Sequence, residues 1–168
     1  MVLSLFLALA HATEADVTCP DAPAIACGMK VESTAQASCA VVLAEMQARI
    51  AGQYGVWHDP HNNGTYSLTA STGTTLTTSR RTGGAGKYVD KQIFTLTAAS
   101  ATTCSIAACS RSQVFSIGDA GTNYCDVKML WCGTKDGCKV VKSDFTTSGE
   151  VTHKFEAASV DLAGCLKV

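Results

Sequence analysis

The sequence predicts an α+β fold in which one long helix packs against a curved antiparallel sheet of about six to eight strands. Residues 33–52 have apolar side chains at helical spacing. The segments after them alternate polar and apolar residues and are separated by turn-forming residues. Nine cysteines in 168 residues indicate that disulfide bonds stabilise the fold. The competing prediction is an all-β sandwich with a docked helix.

The chain begins with a segment typical of a secretory signal peptide. A short apolar run precedes Ala10-His11-Ala12, which matches the small-x-small motif of signal peptidase. No Lys or Arg precedes the run, and the alternative is a strand of the core. We therefore predict a signal peptide at residues 1–12 and a single disulfide-stabilised domain at residues 13–168. This domain would be secreted, or delivered to another oxidising lumen.

Residues 13–31 contain Pro20 and Pro23, which disfavour a helix and predict an irregular arm. We expect its two cysteines to fasten the arm to the rest of the domain or to each other.

The predicted helix has recognisable start and stop signals. Ser33 and Gln36 have the spacing of a capping box, and Gly52 is a typical C-terminal stop. Glu45 precedes Arg49 by four residues, which predicts an ion pair on the helix surface. One face of the helix is apolar and should pack against the sheet; it comprises Cys39, Val42, Leu43, Met46 and Ile50.

Eight segments after the helix are predicted as β-strands, because apolar and polar residues alternate or because β-branched residues are abundant. The alternation is clearest in residues 124–131. The predicted strands are residues 65–70, 74–80, 88–97, 103–109, 112–117, 124–131, 139–145 and 151–155.

This order of elements resembles that of the cystatin-like and nuclear-transport-factor-like rolls, in which the sheet curls around the helix. The similarity concerns architecture alone, because one fold can carry unrelated functions.

The cysteines predict a disulfide framework and no metal site. No C-x-x-C motif is present, so zinc is not predicted. Cys132 and Cys138 flank a glycine-containing loop and are the predicted pair. An odd number leaves one cysteine either free or linking two chains as a homodimer. The nine are Cys19, Cys27, Cys39, Cys104, Cys109, Cys125, Cys132, Cys138 and Cys165.

The composition argues against several classes of partner. A net charge of −1 is unsuited to nucleic acid, which requires a basic surface. No apolar stretch is long enough for a membrane-spanning helix. No cofactor is predicted, and residues 83–87 lack the pattern of a phosphate-binding loop. No G-x-S-x-G motif occurs, so the nucleophile of an α/β-hydrolase is also absent.

One loop carries three candidate catalytic residues. His58, Asp59 and His61 lie close together in sequence, so a histidine oriented by Asp59 could act as a general base. The alternative is a rigid turn in which Asp59 caps backbone amides and Trp57 packs into the core.

His153 is the other candidate catalytic residue. It shares a predicted strand face with Val151 and Phe155. If that face is internal, His153 would lie between sheet and helix as an acid or base, or as an ordinary core histidine.

Asn63-Gly64-Thr65 is a sequon for N-linked glycosylation. In an exported eukaryotic protein Asn63 would carry a glycan, and it is otherwise part of an Asn-Gly turn.

Several short runs define a resemblance to a known group. Residues 109–115 read Cys-Ser-Arg-Ser-Gln-Val-Phe, followed by Asp119 and by Thr-Asn-Tyr-Cys at 122–125, and residues 58–62 read His-Asp-Pro-His-Asn. Together they resemble small exported cysteine-rich proteins of microalgae and related protists. The resemblance implies export and assigns no activity, ligand or catalytic residue.

The sequence favours a non-enzymatic binding module for an unknown ligand or protein partner, because no complete catalytic constellation is present. The first alternative is a small secreted hydrolase or lyase with a histidine base between helix and sheet. The second is a structural coat or matrix protein. An enzyme would require a carboxylate close to a histidine in a pocket, whereas a binding module should expose an apolar patch.

Overall fold

The computed structural model describes residues 17–84, Gly86 and residues 88–167, so the predicted signal peptide lies outside the described part. The strands are β1 (Gly28–Ala35), β2 (Thr65–Ser71), β3 (Thr75–Arg81), β4 (Val89–Ala98), β5 (Cys104–Ser112) and β6 (Thr147–Phe155). The helices are α1 (Cys39–Gly52), α2 (Thr122–Lys128) and α3 (Leu162–Cys165), with a 3₁₀ turn at Thr134–Asp136.

The strands form one antiparallel sheet in the order β2-β3-β4-β5-β1-β6. Strands β2 to β5 are neighbours in sequence order, as is usual for strands joined by short connections. Strand β1 lies between β5 and β6 and pairs with both. Helices α1 and α2 contact the sheet. The predicted α+β architecture of a helix on an antiparallel sheet is therefore confirmed, with six strands.

Strand β1 was not predicted, because residues up to 31 were assigned to an irregular arm. Met29, Val31 and Ala35 alternate along β1 and are buried in the core. Pairing on both edges satisfies the backbone of this segment, and the alternating side chains fill the core at the same time. The period-two pattern was therefore present in the sequence, immediately before the helical one.

The predicted start of the helix is wrong by six residues. Ser33 belongs to β1, and its hydroxyl donates a hydrogen bond to the carbonyl of Ser148 on β6 at 3.2 Å. Helix α1 begins at Cys39, where Ser38 is the N-cap and accepts a hydrogen bond from the Val41 amide at 3.4 Å. The spacing of Ser33 and Gln36 imitates a capping box, but strand pairing determines the conformation of Ser33.

The apolar face of α1 packs as predicted, with Val42, Met46 and Ile50 buried in the core. The prediction of a surface ion pair between Glu45 and Arg49 is wrong in its location. The pair exists, at 2.9 Å between Arg49 Nε and Glu45 Oε1, but both side chains are fully buried. The reason is that the segment after residue 138 covers this second face of the helix.

The segment 124–131 forms α2 and the turn after it, although its alternation predicted a strand. The side chains are buried at every position from 123 to 131, so alternation in polarity does not reflect alternation in exposure. The polar ones are buried with partners: Asp126 with Arg80, and Lys128 with Glu150. The amide of Cys125 donates to Gly121 and that of Met129 donates to Cys125, which is the helical pattern.

Two other predicted strands are also absent from the sheet. Residues 112–117 contribute only Ser112 to a strand and otherwise form a loop. Residues 139–145 form an irregular segment whose amides donate to Glu45. The five remaining predictions, residues 65–70, 74–80, 88–97, 103–109 and 151–155, correspond to β2 to β6.

Four disulfide bonds connect distant parts of the chain. One links the N-terminal arm to β5, one links α1 to β5, and one links α2 to the C-terminal helix α3. The fourth closes the loop predicted from the sequence. The pairs are Cys19–Cys109, Cys39–Cys104, Cys125–Cys165 and Cys132–Cys138, and Cys27 is unpaired and buried.

Candidate functional site

A pocket of about 490 Å³ opens at the end of the sheet where β3 and β5 end and β4 begins. Its rim carries Tyr88, Phe115 and Ile117, which are 57%, 64% and 60% exposed. Its floor includes the buried side chains of Asp90 and Ser112. We call this feature the Phe115 pocket. Large apolar side chains exposed around a concave site are typical of a binding surface.

The loop that carries Phe115 and Ile117 is held from three sides by backbone hydrogen bonds. The Gln113 amide donates to Val89 O at 2.8 Å, at the start of β4. The Ser116 amide donates to Ile25 O at 3.3 Å, on the N-terminal arm. The carbonyl of Ile117 accepts a hydrogen bond from the Ala157 amide at 3.1 Å, after β6. The rim therefore has a defined position although its side chains are exposed.

Asp119 fixes the turn that joins this loop to α2. Its Oδ1 accepts a hydrogen bond from the Gly121 amide at 3.0 Å, and its Oδ2 accepts two from Asn123 at 3.1 and 2.9 Å. Gly121 has a φ of +83° in the left-handed region, where glycine avoids the strain of a Cβ. This turn places Asp119 and Thr122 in the pocket wall.

A buried polar network lies beneath the pocket floor. Asn123 Nδ2 donates to Ser112 Oγ at 3.1 Å, and Ser112 lies directly opposite Asp90 in the pairing of β5 with β4. Asp90 also lies opposite Arg80 in the pairing of β4 with β3, and Arg80 forms an ion pair with Asp126. Asp126 Oδ2 accepts hydrogen bonds from Ser110 Oγ at 3.0 Å and from Gln92 Nε2 at 3.2 Å. The floor of the pocket is thus connected to the interior through side chains of β4, β5 and α2.

The guanidinium of Arg80 binds to this network on the side away from the pocket. Arg80 Nε lies 2.7 Å from Asp59 Oδ2, and Arg80 Nη1 lies 3.2 Å from Asp126 Oδ1. Arg80 also donates to the His61 carbonyl at 2.5 Å and to Asn62 Oδ1 at 2.9 Å. Burial would lower the pKa of Arg80, but Asp126, Tyr66 and Asp59 outweigh burial and raise it, so Arg80 stays charged.

Burial affects the protonation of two carboxyl groups in this network, Asp90 on the pocket floor and Asp126 beneath it. Desolvation raises the pKa of Asp126 well above its usual range, although Arg80 acts in the opposite direction. Desolvation also raises the pKa of Asp90, opposed by hydrogen bonding to Ser112 and by the charge of Arg80. Burial thus favours the protonated form of both Asp90 and Asp126.

The loop predicted to carry catalytic residues forms a rigid turn. Asp59 is buried, accepts a hydrogen bond from the His61 amide at 2.8 Å and pairs with Arg80. Trp57 packs in the core, and His58 is exposed beside a smaller pocket of about 140 Å³. This agrees with the rigid-turn alternative, in which Asp59 caps backbone amides.

The ring of His61 contacts neutral oxygen atoms. Its nitrogens lie 3.2 Å from Thr122 Oγ1 and 3.4 Å from Gly164 O. Burial, together with the charge of Arg80, lowers the pKa of His61 and favours the neutral ring. In this position His61 braces the start of α2 against the C-terminal helix.

The placement of His153 between sheet and helix is wrong. His153 lies opposite Lys30 on the edge strand β6 and is exposed. Two acidic side chains that could orient a histidine have other partners: Asp126 lies in the network under the pocket, and Asp144 hydrogen-bonds to Thr134. The residues of β6 are exposed or half-buried, and helices α1 and α2 pack mainly on β1, β2, β4 and β5.

The residues of the Phe115 pocket were not selected from the sequence. Phe115 and Ile117 were assigned to the predicted strand 112–117, and Asp126 to the predicted strand 124–131. A usable signal was the run Gly118-Asp119-Ala120-Gly121, whose turn-forming residues indicate that the strand has ended before Ile117. Burial of Asp90 and Asp126 has no comparable local signal, because it depends on Arg80 from another strand.

Other features bear on the predicted partners. Within the described residues, no group of three or more His, Cys, Asp or Glu side chains is arranged to hold a metal ion. No described helix is both long and apolar enough to span a membrane. Asn63 is exposed, in a turn with a φ of +50°. In comparisons with protein-family models, curated proteins and solved structures, nothing matches this chain.

Proposed function

We propose that this chain is an exported, non-enzymatic binding module that holds a small amphipathic ligand in the Phe115 pocket. The observation that carries the proposal is the combination of an exposed apolar rim with a buried polar floor. A ligand would cover Tyr88, Phe115 and Ile117, which water now contacts, and would meet hydrogen-bonding groups at Asp90 and Ser112. Sites of this size and lining are typical for small molecules.

The histidines give little support to an acid–base enzyme. His58 and His153 are exposed, and the ring of His61 is engaged with Thr122 and Gly164. A general base should lie within hydrogen-bond reach of both its substrate and an orienting group. A binding function requires no general base. The large exposed apolar side chains on the rim of the Phe115 pocket favour binding.

Export is part of the same proposal. Four disulfide bonds indicate an oxidising compartment, and the predicted signal peptide at residues 1–12 would direct the chain there. Asn63 would carry an N-linked glycan, because its sequon lies in an exposed turn. Its neighbour Asn62 lines the Phe115 pocket, so the glycan would stand close to the entrance.

Titration with phenethyl alcohol, a neutral amphipathic probe, tests the proposed function by amide NMR. We expect the largest chemical-shift changes at Tyr88, Phe115 and Ile117. Phe115→Ala should weaken binding by about tenfold, the effect of losing roughly 1–2 kcal/mol of apolar contact. Tyr54→Ala is the matched control, because Tyr54 is an exposed aromatic residue outside the pocket. Equal binding by the two variants, or shifts confined to other residues, would refute the proposal.

A further inference from the structure

The polar network under the Phe115 pocket contains more acidic than basic groups. Asp59, Asp90 and Asp126 surround Arg80, the guanidinium that pairs with two of them. The Asp59–Arg80 pair is neutral as a unit. Three carboxyl groups therefore share one guanidinium, so the cluster has an excess of acidic groups that can retain a proton or accept a cation.

A ligand in the Phe115 pocket could contact this acidic network. Asp90 belongs to both the network and the pocket floor, and it is 2% exposed. Asp119 adds a second carboxylate to the wall. Among the described residues that line the pocket, none is Lys, Arg or His. A carboxylate in such a site interacts with a cation more strongly than one on an open surface, because less water screens it.

The rim is also suited to a positively charged group. Tyr88 and Phe115 present exposed aromatic rings at the entrance. An organic cation is attracted to the face of an aromatic ring, and the same ring provides apolar contact for the ligand body. The aromatic rim and the acidic floor are separate features of the pocket, and both favour a cationic ligand.

We propose that the ligand of the Phe115 pocket is an amphipathic organic cation, an alkylammonium or guanidinium group on an apolar body, whose charge is recognised by Asp90. This inference rests on the proposed function and specifies its ligand class. Asp90 receives the cationic head, with the help of Ser112 on the same floor, while Phe115 and Ile117 cover the apolar body.

Three probes with a shared phenyl body test the inference: phenethylamine as the cation, phenethyl alcohol as the neutral analogue and phenylacetate as the anion. At neutral pH we expect phenethylamine to bind about tenfold more tightly than the alcohol, since charge-assisted hydrogen bonds are the stronger ones. Phenylacetate should bind most weakly. Asp90→Asn should remove the preference for the amine over the alcohol, whereas the control Asp21→Asn removes an exposed carboxylate outside the pocket lining and should keep that preference.

The outcomes separate the two proposals. If all three probes shift the pocket amides with equal affinity, or if Asp90→Asn keeps the preference for the amine, the cation inference is overturned and the binding function stands. If no probe shifts the pocket amides, both fail. Should Asp90→Asn not fold, lowering the pH serves instead. Affinity for the amine should then fall as Asp90 is protonated while affinity for the alcohol stays constant, and an amine affinity independent of pH would overturn the inference.

Discussion

Glu45 joins two separate parts of the chain through one buried carboxylate. Its oxygens accept hydrogen bonds from the successive amides of Val141, Lys142 and Ser143 at 2.9, 2.7 and 2.7 Å. Arg49, which pairs with Glu45, donates to the carbonyls of Met129 and Cys132 at 2.6 Å each. A buried charge is stable only when it is paired and fully hydrogen-bonded, and this pair meets both conditions.

The variant Glu45→Gln keeps the shape of the side chain and removes its charge. We expect the free energy of unfolding to fall by about 3 kcal/mol, because Arg49 is left buried without its counter-charge. Urea denaturation measures this loss. Glu156→Gln is the matched control, since Glu156 is exposed and the same change there should cost about 0.5 kcal/mol or less. A similar loss in both variants would contradict the role assigned to Glu45.

The difference in stability between the wild type and Glu45→Gln should depend on pH. Burial would raise the pKa of Glu45, but the three amides and Arg49 outweigh it, so the folded-state pKa lies below the ordinary value of 4.5. Such a group stabilises the fold above its unfolded pKa, and the stabilisation is lost as the pH falls through the folded pKa. The stabilities of wild type and Glu45→Gln should therefore converge below about pH 4.5. A constant difference across that range would show that Glu45 is not held as a carboxylate.

Sequence patterns predicted elements well where one face of the element meets solvent. Strands β3 and β4 alternate buried and less buried residues, and their bounds agree with prediction within two residues. Helix α2 was predicted as a strand because the polarity of its residues alternates. In the fold, however, every residue from 123 to 131 is buried. When polar residues such as Asp126 and Lys128 are buried with partners, the polarity of a residue no longer reports its exposure.

The N-terminal arm is joined to the sheet by a covalent link and by hydrogen bonds to the segment after β5. Val17 packs beside Cys109 and Ala107 on the outer side of β5, next to the disulfide bond from Cys19. The same arm supports the rim of the Phe115 pocket, because Ile25 accepts a hydrogen bond from Ser116. Loss of the arm would therefore disturb the candidate site as well as the fold.

Paired Cys→Ala variants should rank the disulfide bonds by the length of chain that each encloses. Cys19 and Cys109 are 90 residues apart, whereas Cys132 and Cys138 are six residues apart. Loop-closure entropy predicts losses of about 4.5 and about 2 kcal/mol in the free energy of unfolding. Chemical denaturation measures both, and Cys27→Ala controls for removal of a buried sulfur without a bond. The reverse ranking would mean that local packing, not closure of the long loop, dominates.

The whole molecule owes its strand order to contacts that no local pattern specifies. Strand β1 pairs with β6, which begins more than a hundred residues later in the sequence. The periodicity of the sequence indicates the fold class and the types of element. The position of β1 depends instead on long-range packing, because β1 pairs with the edge of β5 that β4 leaves free. The same long-range packing buries Arg80 among three aspartates, so the candidate site was also beyond reach of the sequence.

Four disulfide bonds and one buried thiol account for all nine cysteines. Cys27 is 0% exposed, its amide donates to Ser116 Oγ at 2.8 Å, and burial raises the pKa of its thiol. Burial keeps reagents away from the thiol, and the raised pKa disfavours the thiolate, which is the reactive form. Both effects suppress the reaction of Cys27. A disulfide-linked homodimer through Cys27 would require the segment around it to open.

We therefore expect the oxidised chain to show no thiol reactive with Ellman's reagent in its native state, and one thiol per chain after denaturation without reductant. Cys27→Ser should show none in either state. On a non-reducing gel the protein should migrate as a monomer. Detection of three thiols after denaturation would mean that one of the four bonds is absent. A covalent dimer that disappears in Cys27→Ser would place this sulfur at an interface between chains, and would require the wall behind the Phe115 pocket to open during assembly.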